Sequence, residues 1–164
     1  MTSTFVNWKQ LLKDDTYYDL LCESLNHYAT KYDMDILAYV IMPSHLHLIS
    51  YFKAKNQLSA MMRDFKKYTS GELRRKLQQD GYHKMHESLR FERRDQKFKV
   101  WMDRFDDVYL ESPHIVERKV DYIHDNPVAK GFCLFPAEYK YSSADFYEND
   151  VRGKVKVTHY KEYF

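Results

Sequence analysis

The chain has 164 residues and a mass of 19.9 kDa, a size that favours one domain with its own core. Hydrophobic residues make up 44% and charged residues 30% of it, with only 4 Gly and 4 Pro, which excludes the disordered and fibrous classes. The net charge of +2 hides a basic middle, since residues 61–104 hold 13 Lys and Arg against 7 Asp and Glu. A basic surface of this kind attracts phosphate, although a solvated helix face has the same composition.

The cysteine content and the apolar runs predict the cellular setting. Cys22 and Cys133 are too few for a disulfide framework and form no CxxC pair, which favours a reduced, cytoplasmic environment. The longest apolar runs, 36–43 and 46–52, are far shorter than the roughly 20 residues of a membrane span. We therefore expect a soluble protein without a membrane partner.

Hydrophobic periodicity and turn residues predict the secondary structure. The first half of the chain predicts a short β-type run at 5–8, a helix at 16–31, two strands at 34–42 and 45–52, and a helix at 58–78. A mixed segment at 79–99 fits a helix plus a loop, and the segment at 100–110 is partly strand-like. A helix then runs from Ser112 and Pro113 to about 125, followed by a short turn or helix at 138–147 and a final strand or tail. This order predicts an α+β fold in which helices cover one face of an antiparallel sheet. We expect residues 1–164 to form a single domain, with 147–164 as its C-terminal tail.

Two histidines in the second strand of the predicted hairpin are the first candidates for chemistry. Side chains alternate across a strand, so His45 and His47 share one face, about 7 Å apart, while Leu46 and Leu48 face the other way. Two imidazoles placed in this way can converge on one metal ion or phosphate oxygen. The same pattern also fits two polar residues on the solvent face of a half-buried strand.

A tyrosine and an asparagine on the last long predicted helix are the second candidates. Tyr122 and Asn126 lie one turn apart on one face, whereas Val116, Val120 and Ile123 are expected to anchor the helix to the sheet. A phenol is a weak nucleophile at neutral pH unless a cation stabilises the phenolate or polarises the electrophile. A divalent metal on the histidine pair could do the latter, and imidazole with amide oxygen suits Mg²⁺ or Mn²⁺ better than structural zinc. The alternative is a core or interface tyrosine.

Four segments of the chain carry a family resemblance when they are taken in order. They are the histidine strand (38–49), a basic helix segment (64–70), the tyrosine helix (121–131) and a short tail segment (139–144). The histidine strand resembles the HUH motif, two histidines around an apolar residue, of the single-tyrosine transposases. The basic segment also resembles the basic helix that follows the HUH strand in this family, and the tyrosine helix and the tail segment are similar to those of its REP-associated branch.

The resemblance implies a ferredoxin-like HUH transposase fold, an antiparallel sheet with helices packed on it, and a DNA strand-transfer activity. Tyr122 would attack a phosphodiester of single-stranded or hairpin DNA, forming a 5′-phosphotyrosine link and freeing a 3′-OH. His45, His47 and Asn126 would bind the divalent metal, Mg²⁺ or Mn²⁺. The protein would act on DNA in a prokaryotic cytoplasm, in association with the nucleoid. The candidates for contacts with the DNA backbone are Arg63, Lys66, Lys67, Arg74 and Arg75.

Three functions are compatible with the sequence. The first is a metal- and tyrosine-dependent transposase or nickase. The second is a catalytically silent protein of the same fold that binds DNA hairpins, and the third is a structural α+β domain with surface histidines. The sequence leaves open whether the protein is a monomer or a homodimer in which each tyrosine helix serves the partner's site.

Overall fold

A three-stranded antiparallel sheet forms the centre of the computed structural model, which describes residues 1–93 and 96–164. Its strand order is β1 (Thr2–Thr4), β3 (His45–Phe52) and β2 (Met34–Met42), so the histidine strand is central. The remaining elements are α1 (Asp15–Lys31), α2 (Leu58–Gln79), α3 (His83–Glu87), a hairpin of β4 (Arg90–Arg93) and β5 (Gln96–Phe98), α4 (Pro113–Ala129) and α5 (Ala144–Asn149). The predicted α+β fold with an antiparallel sheet is confirmed.

Helices cover both faces of the sheet, so the prediction of a single covered face is wrong. On one face, Tyr39 and Ile41 of β2 pack into the core that α1 and α2 complete. On the other face, Val40 and Met42 pack into the core that α4 completes. The reason is visible in β2, whose nearly unbroken apolar run is the pattern of a strand buried on both sides.

The first strand lies earlier in the chain than predicted. β1 pairs with β3 in the register Thr2 to His47 and Thr4 to His45, and the run expected at 5–8 is not a strand. Phe5 is fully buried, which accounts for its apolar character, and Val6–Trp8 form a 3₁₀ turn. The chain therefore leaves the sheet directly beside the histidine pair.

The tyrosine helix continues past Pro127, where the sequence predicted its end. Pro127 removes one amide donor, but it lies in the last turn, and α4 runs on to Ala129. Gly131 ends the helix with a φ of 72°, a left-handed conformation that costs glycine little. The amide of Phe132 donates to the Pro127 carbonyl (2.9 Å) and that of Gly131 to the Val128 carbonyl (2.9 Å), which is a Schellman cap.

Three segments without strong patterns, 79–99, 100–110 and the last 14 residues, were predicted only in part. Residues 79–99 contain the expected helix, α3, but also the β4–β5 hairpin, which the mixed-charge pattern did not indicate. Residues 100–110 make bridges from Trp101 and Asp106 to the N-terminal segment. The last 14 residues contain a 3₁₀ turn and no strand among the elements described, and Val155 and Tyr160 are buried in the two cores. In the described part of the chain, no helix is both long and apolar enough to cross a bilayer.

Candidate active site

The histidine pair lies on the central strand, on the sheet face that α4 covers. Both side chains are 7% exposed, and the ring centroids of His45 and His47 are 4.8 Å apart with their planes nearly perpendicular. Leu46 and Leu48 lie in the opposite core, as the alternation of strand side chains predicts. The burial of both rings contradicts the alternative of two polar residues on a solvent face.

A hydroxyl engages one ring nitrogen of each histidine. Thr2 Oγ1 lies 2.8 Å from His47 Nδ1, and Ser44 Oγ lies 3.0 Å from His45 Nδ1. In the described residues, the hydrogen bonds of these two rings are made at Nδ1. When Nδ1 carries the proton and donates it to the hydroxyl, Nε2 presents its lone pair to another partner. Histidines that bind metals are usually oriented in this way, through their second nitrogen.

Burial and nearby positive charge keep the pair neutral. Desolvation lowers the pKa of His47 to about 3, and the positive charges of His45, the N-terminal ammonium and Lys119 act in the same direction. Desolvation, followed by the charge of Lys130, also lowers the pKa of His45. Neutral imidazole is the form that binds metals and accepts hydrogen bonds.

Tyr122 lies beside the histidine pair and remains open to solvent. Val116, Val120 and Ile123 are buried against the sheet, which confirms their predicted role as anchors of the helix. On the neighbouring face of α4, Tyr122 is 54% exposed, and its ring centroid lies 6.2 Å from that of His47. The structure therefore brings together two candidates that are 75 positions apart in the sequence.

Asn126 follows Tyr122 on the same face of α4, between two cations. Its Nδ2 donates to the Tyr122 carbonyl (2.7 Å), which leaves its Oδ1 for another partner. The ammonium of Lys119 lies 4.6 Å from the centroid of the Tyr122 ring, one turn towards the helix start, and Lys130 follows the last turn near His45. This face of α4 thus carries a phenol and an amide oxygen with a positive charge at either end.

The donor set for a metal is therefore restricted. No group of three or more His, Cys, Asp or Glu within residues 1–93 and 96–164 is arranged to hold a metal ion. The residues that could hold one are the two imidazoles, through Nε2, together with a neutral oxygen such as Asn126 Oδ1. Nitrogen with amide oxygen, and no thiolate, fits a hard or borderline divalent cation.

Sequence reasoning missed several residues around the site. Thr2 and Trp8 carried no local signal, because they meet the histidines through the pairing of β1 with β3 and through the turn after it. Lys119 could have been found, since it lies three positions before Tyr122 and so on the same helix face. Ser44 could likewise have been found as the residue adjacent to His45.

The basic residues predicted to contact DNA lie on α2, which packs on the opposite face of the sheet from the histidine pair. Two of them are used inside the protein. The ammonium of Lys66 donates to the Met102 carbonyl (2.8 Å), and burial lowers its pKa to about 8. The guanidinium of Arg74 lies 3.6 Å from the centroid of the Phe98 ring.

The other three predicted contacts are exposed. Arg63 pairs with Asp64 (3.1 Å) and Arg75 pairs with Glu72, while Lys67 is exposed on the same helix. Exposed pairs of this kind are weak, so both arginines remain free to exchange their partners for phosphate. The structure thus separates the predicted set into two half-buried members with partners inside the protein and three exposed members.

The sequence model of a known family matches residues 5–124, and that family is described as transposase IS200-like. The chain belongs to the IS200-like transposase family. The matched range includes the histidine pair and Tyr122 of this transposase and ends two residues before Asn126.

One solved structure shares the fold of this IS200-like transposase. It is a REP-associated tyrosine transposase bound to a REP hairpin, with a TM-score of 0.66 and 20% sequence identity. The alignment covers 96% of this chain and 82% of that one. A comparison with curated protein sequences found no match.

Proposed function

We propose that this IS200-like transposase cleaves and rejoins single-stranded or hairpin DNA through a covalent link to Tyr122. The observation that carries the proposal is the exposed phenol of Tyr122 beside the buried histidine pair, 6.2 Å between ring centroids, on a face that also carries Lys119 and Lys130. A DNA partner is further supported by the structural relative, which was solved with a hairpin.

The proposed reaction is one transesterification and its reversal. The Tyr122 oxygen attacks the phosphorus and loses its proton to solvent, while the bond from phosphorus to the 3′ oxygen breaks. The 3′ oxygen takes up a proton and leaves as a 3′-OH, and the phosphate stays on Tyr122 as a 5′-phosphotyrosine. A 3′-OH from another strand then attacks the same phosphorus and releases the tyrosine. Because one ester replaces another at each step, rejoining needs no external energy source.

His45, His47 and Asn126 would hold a divalent cation, Mg²⁺ or Mn²⁺. The fit rests on the two Nε2 atoms that the Thr2 and Ser44 hydroxyls leave available, and on the Oδ1 of Asn126. When bound, such a cation would polarise a phosphate oxygen and stabilise the charge that develops on it.

The cations of this face would hold and orient the substrate. Lys119 and Lys130 are exposed at the two ends of the Tyr122 face and would attract the phosphates on either side of the one under attack. The anchors Val120 and Ile123 fix α4 on the sheet, so the helix that carries Tyr122 is in place beside the histidines before the DNA arrives.

A second function, a catalytically silent hairpin-binding protein, is favoured by one observation. The described residues supply no third His, Cys, Asp or Glu ligand beside the two histidines. A weak metal site of this kind would preserve DNA binding and lose cleavage.

The test is a covalent-adduct experiment with labelled single-stranded DNA or a labelled hairpin in the presence of Mn²⁺ or Mg²⁺. We expect a protein–DNA adduct that survives a denaturing gel and disappears in Tyr122→Phe, His45→Ala and His47→Ala. Tyr68→Phe is the matched control, because Tyr68 is similarly exposed but lies on α2. An adduct that persists in Tyr122→Phe would overturn the nucleophile assignment. Hairpin binding without an adduct under either metal would favour the silent protein.

A further inference from the structure

Trp8 exposes its indole directly beside the histidine pair. Its side chain is 59% exposed, and its ring lies edge-on to His45 with 5.5 Å between centroids. The second tryptophan behaves in the usual way, since Trp101 is buried and its indole nitrogen donates to Thr69 Oγ1 (2.9 Å). A large apolar ring in solvent, next to a buried polar pair, therefore needs an explanation other than core packing.

The backbone that holds Trp8 is strained. Asn7 and Trp8 have φ angles of 53° and 55°, so two consecutive residues other than glycine adopt the left-handed region. This conformation is unfavourable for a bulky aromatic residue and persists only where the surroundings enforce it. Here the amide of Val6 donates to the Val100 carbonyl (2.8 Å), and the buried Phe5 ring packs on Trp101. With this backbone conformation the indole lies at the surface, in contact with His45.

Four aromatic rings are linked by successive pairwise contacts at the candidate site. The centroid distances are 5.5 Å from Trp8 to His45, 4.8 Å from His45 to His47 and 6.2 Å from His47 to Tyr122. The two inner rings are buried, and the two outer rings are each more than half exposed. Tyr122, the proposed nucleophile, is the last ring of this series, and Trp8 is the first, in contact with His45.

We infer that Trp8 is a stacking platform for a nucleobase of single-stranded DNA, next to the phosphate that Tyr122 attacks. This inference rests on the proposed function and extends it to substrate binding. An exposed indole offers a flat π surface, and every base has a matching face, so such a contact tolerates many sequences. The neighbouring cations, Lys119 and Lys130, would bind phosphates, which leaves the bases free to turn towards the indole.

The test compares Trp8→Gly and Trp8→Phe with the wild-type chain in binding to oligothymidylate, measured by fluorescence anisotropy. Glycine suits a positive φ, so Trp8→Gly should keep or raise the thermal midpoint. We expect it to weaken binding roughly 5- to 150-fold, the usual effect of losing one stacked base, with Trp8→Phe in between. Tyr82→Ala is the control, because it removes an exposed ring that packs near Tyr17, on the α1 side of the sheet.

Two further readouts identify the kind of contact. Stacking involves no counterion release, so the slope of log affinity against log salt should be unchanged in Trp8→Gly, whereas Lys119→Gln should reduce it by about 0.7. Oligothymidylate should also quench the tryptophan emission of the wild type, and this quenching should be lost in Trp8→Phe, which keeps the buried Trp101.

The outcomes separate this inference from the proposed function. Unchanged affinity in Trp8→Gly, or a lower thermal midpoint without a loss of affinity, would overturn the stacking platform and leave the Tyr122 reaction standing. Loss of binding in Trp8→Gly, in a protein that forms no covalent adduct, would support the platform and overturn the cleavage reaction.

Discussion

Thr2 orients His47 across 45 positions of sequence through a single hydrogen bond of 2.8 Å. The antiparallel register of β1 and β3 places the two residues opposite each other, so the shortest strand of the central sheet supplies the partner of a candidate metal ligand. The contact fixes which nitrogen of His47 faces the site. A hydroxyl at the edge of the sheet therefore has a functional consequence that its residue type alone does not suggest.

The first prediction follows from this contact. Thr2→Val keeps the shape of the side chain and removes the hydroxyl, so His47 loses the partner that orients its ring. We expect Mn²⁺ affinity, measured by calorimetry without DNA, to fall about 10- to 100-fold. Thr4→Val is the control, since Thr4 is on the same strand and its hydroxyl bonds to none of the described residues. Equal Mn²⁺ affinity in both variants would contradict the role of Thr2.

At the scale of the elements, the buried Ser143 connects α4 to the sheet through hydrogen bonds. Ser143 Oγ accepts from the Tyr39 amide (2.9 Å) and lies 2.7 Å from His124 Nε2. Burial lowers the pKa of His124 to about 4, so this ring is neutral at physiological pH. Through these two contacts, Ser143 connects α4, the helix that carries Tyr122, to strand β2 of the sheet.

Ser143→Ala should therefore destabilise the protein. It leaves the buried His124 ring and the Tyr39 amide without their partner, at an expected cost of about 1–3 kcal/mol in the free energy of unfolding. Urea denaturation measures this cost. Ser88→Ala, at an exposed serine after α3, should change the same quantity by less than about 0.5 kcal/mol. Equal effects of the two substitutions would show that the Ser143 hydroxyl does not hold α4.

A second link between elements joins α1 to α2 and depends on pH. Asp64 accepts hydrogen bonds from Lys31 Nζ (2.8 Å), Tyr32 Oη (2.7 Å) and the guanidinium of Arg63. These bonds, that of Lys31 first, hold the pKa of Asp64 well below its usual range. Because the folded pKa is the lower one, the stabilisation is fully present above the unfolded carboxyl pKa of about 3.9 and is lost as the pH falls below it.

Asp64→Asn should lower the thermal midpoint at neutral pH, where the charged pair is complete in the wild type. The difference between the two proteins should begin to shrink as the pH falls below about 4, because the carboxyl of the unfolded wild type then binds a proton that the folded carboxylate does not. Thermal unfolding followed by circular dichroism at neutral and acidic pH gives both values. A difference that is the same at every pH would exclude the ionic origin of the link.

The elements with strong local patterns were predictable from the sequence. The strands 34–42 and 45–52 match the predicted bounds, because a continuous apolar run with a Pro-Ser break specifies a buried hairpin without reference to the rest of the chain. The end of α4 was predicted too early, because Pro127 matches the usual stop signal of a helix. Pro127 is tolerated in the last turn, and the helix ends at the Gly131 cap.

Other features depend on contacts between distant parts of the chain. β1 has three residues and exists through its pairing with β3, so no periodicity could indicate it. The position of Trp8 beside His45 depends on a strained turn that sequence patterns do not encode. Lys66 was predicted to contact DNA because its charge suggests a surface cation. Its ammonium instead donates to a backbone carbonyl, which its residue type does not indicate.

At the scale of the whole molecule, one chain brings Tyr122 and the histidine pair together. Tyr122 lies beside the His47 of its own chain, whereas the sequence left open whether it serves a partner. We therefore expect the proposed reaction to use the tyrosine and the histidine pair of one chain.

A mixing experiment follows from this arrangement. Tyr122→Phe and His47→Ala should each be inactive in adduct formation, and we expect their mixture to be inactive as well. An exchange of tyrosine helices between copies would combine an intact tyrosine with an intact histidine pair and restore the adduct. Restored adduct in the mixture would thus show that the tyrosine acts in the partner's site.

The sheet divides the interior into two cores of unequal size. Among the described residues, the core shared with α1 and α2 holds 24 buried side chains, and the core under α4 holds 9. Because the stability of a packed layer scales with the apolar surface that it buries, the free energy of local unfolding should be lower for α4 than for α1 and α2. Moderate heating would then displace α4 and abolish activity, while most of the other helices remain folded. The upper temperature for DNA cleavage would be set by the adhesion of one helix, and not by the melting of the molecule.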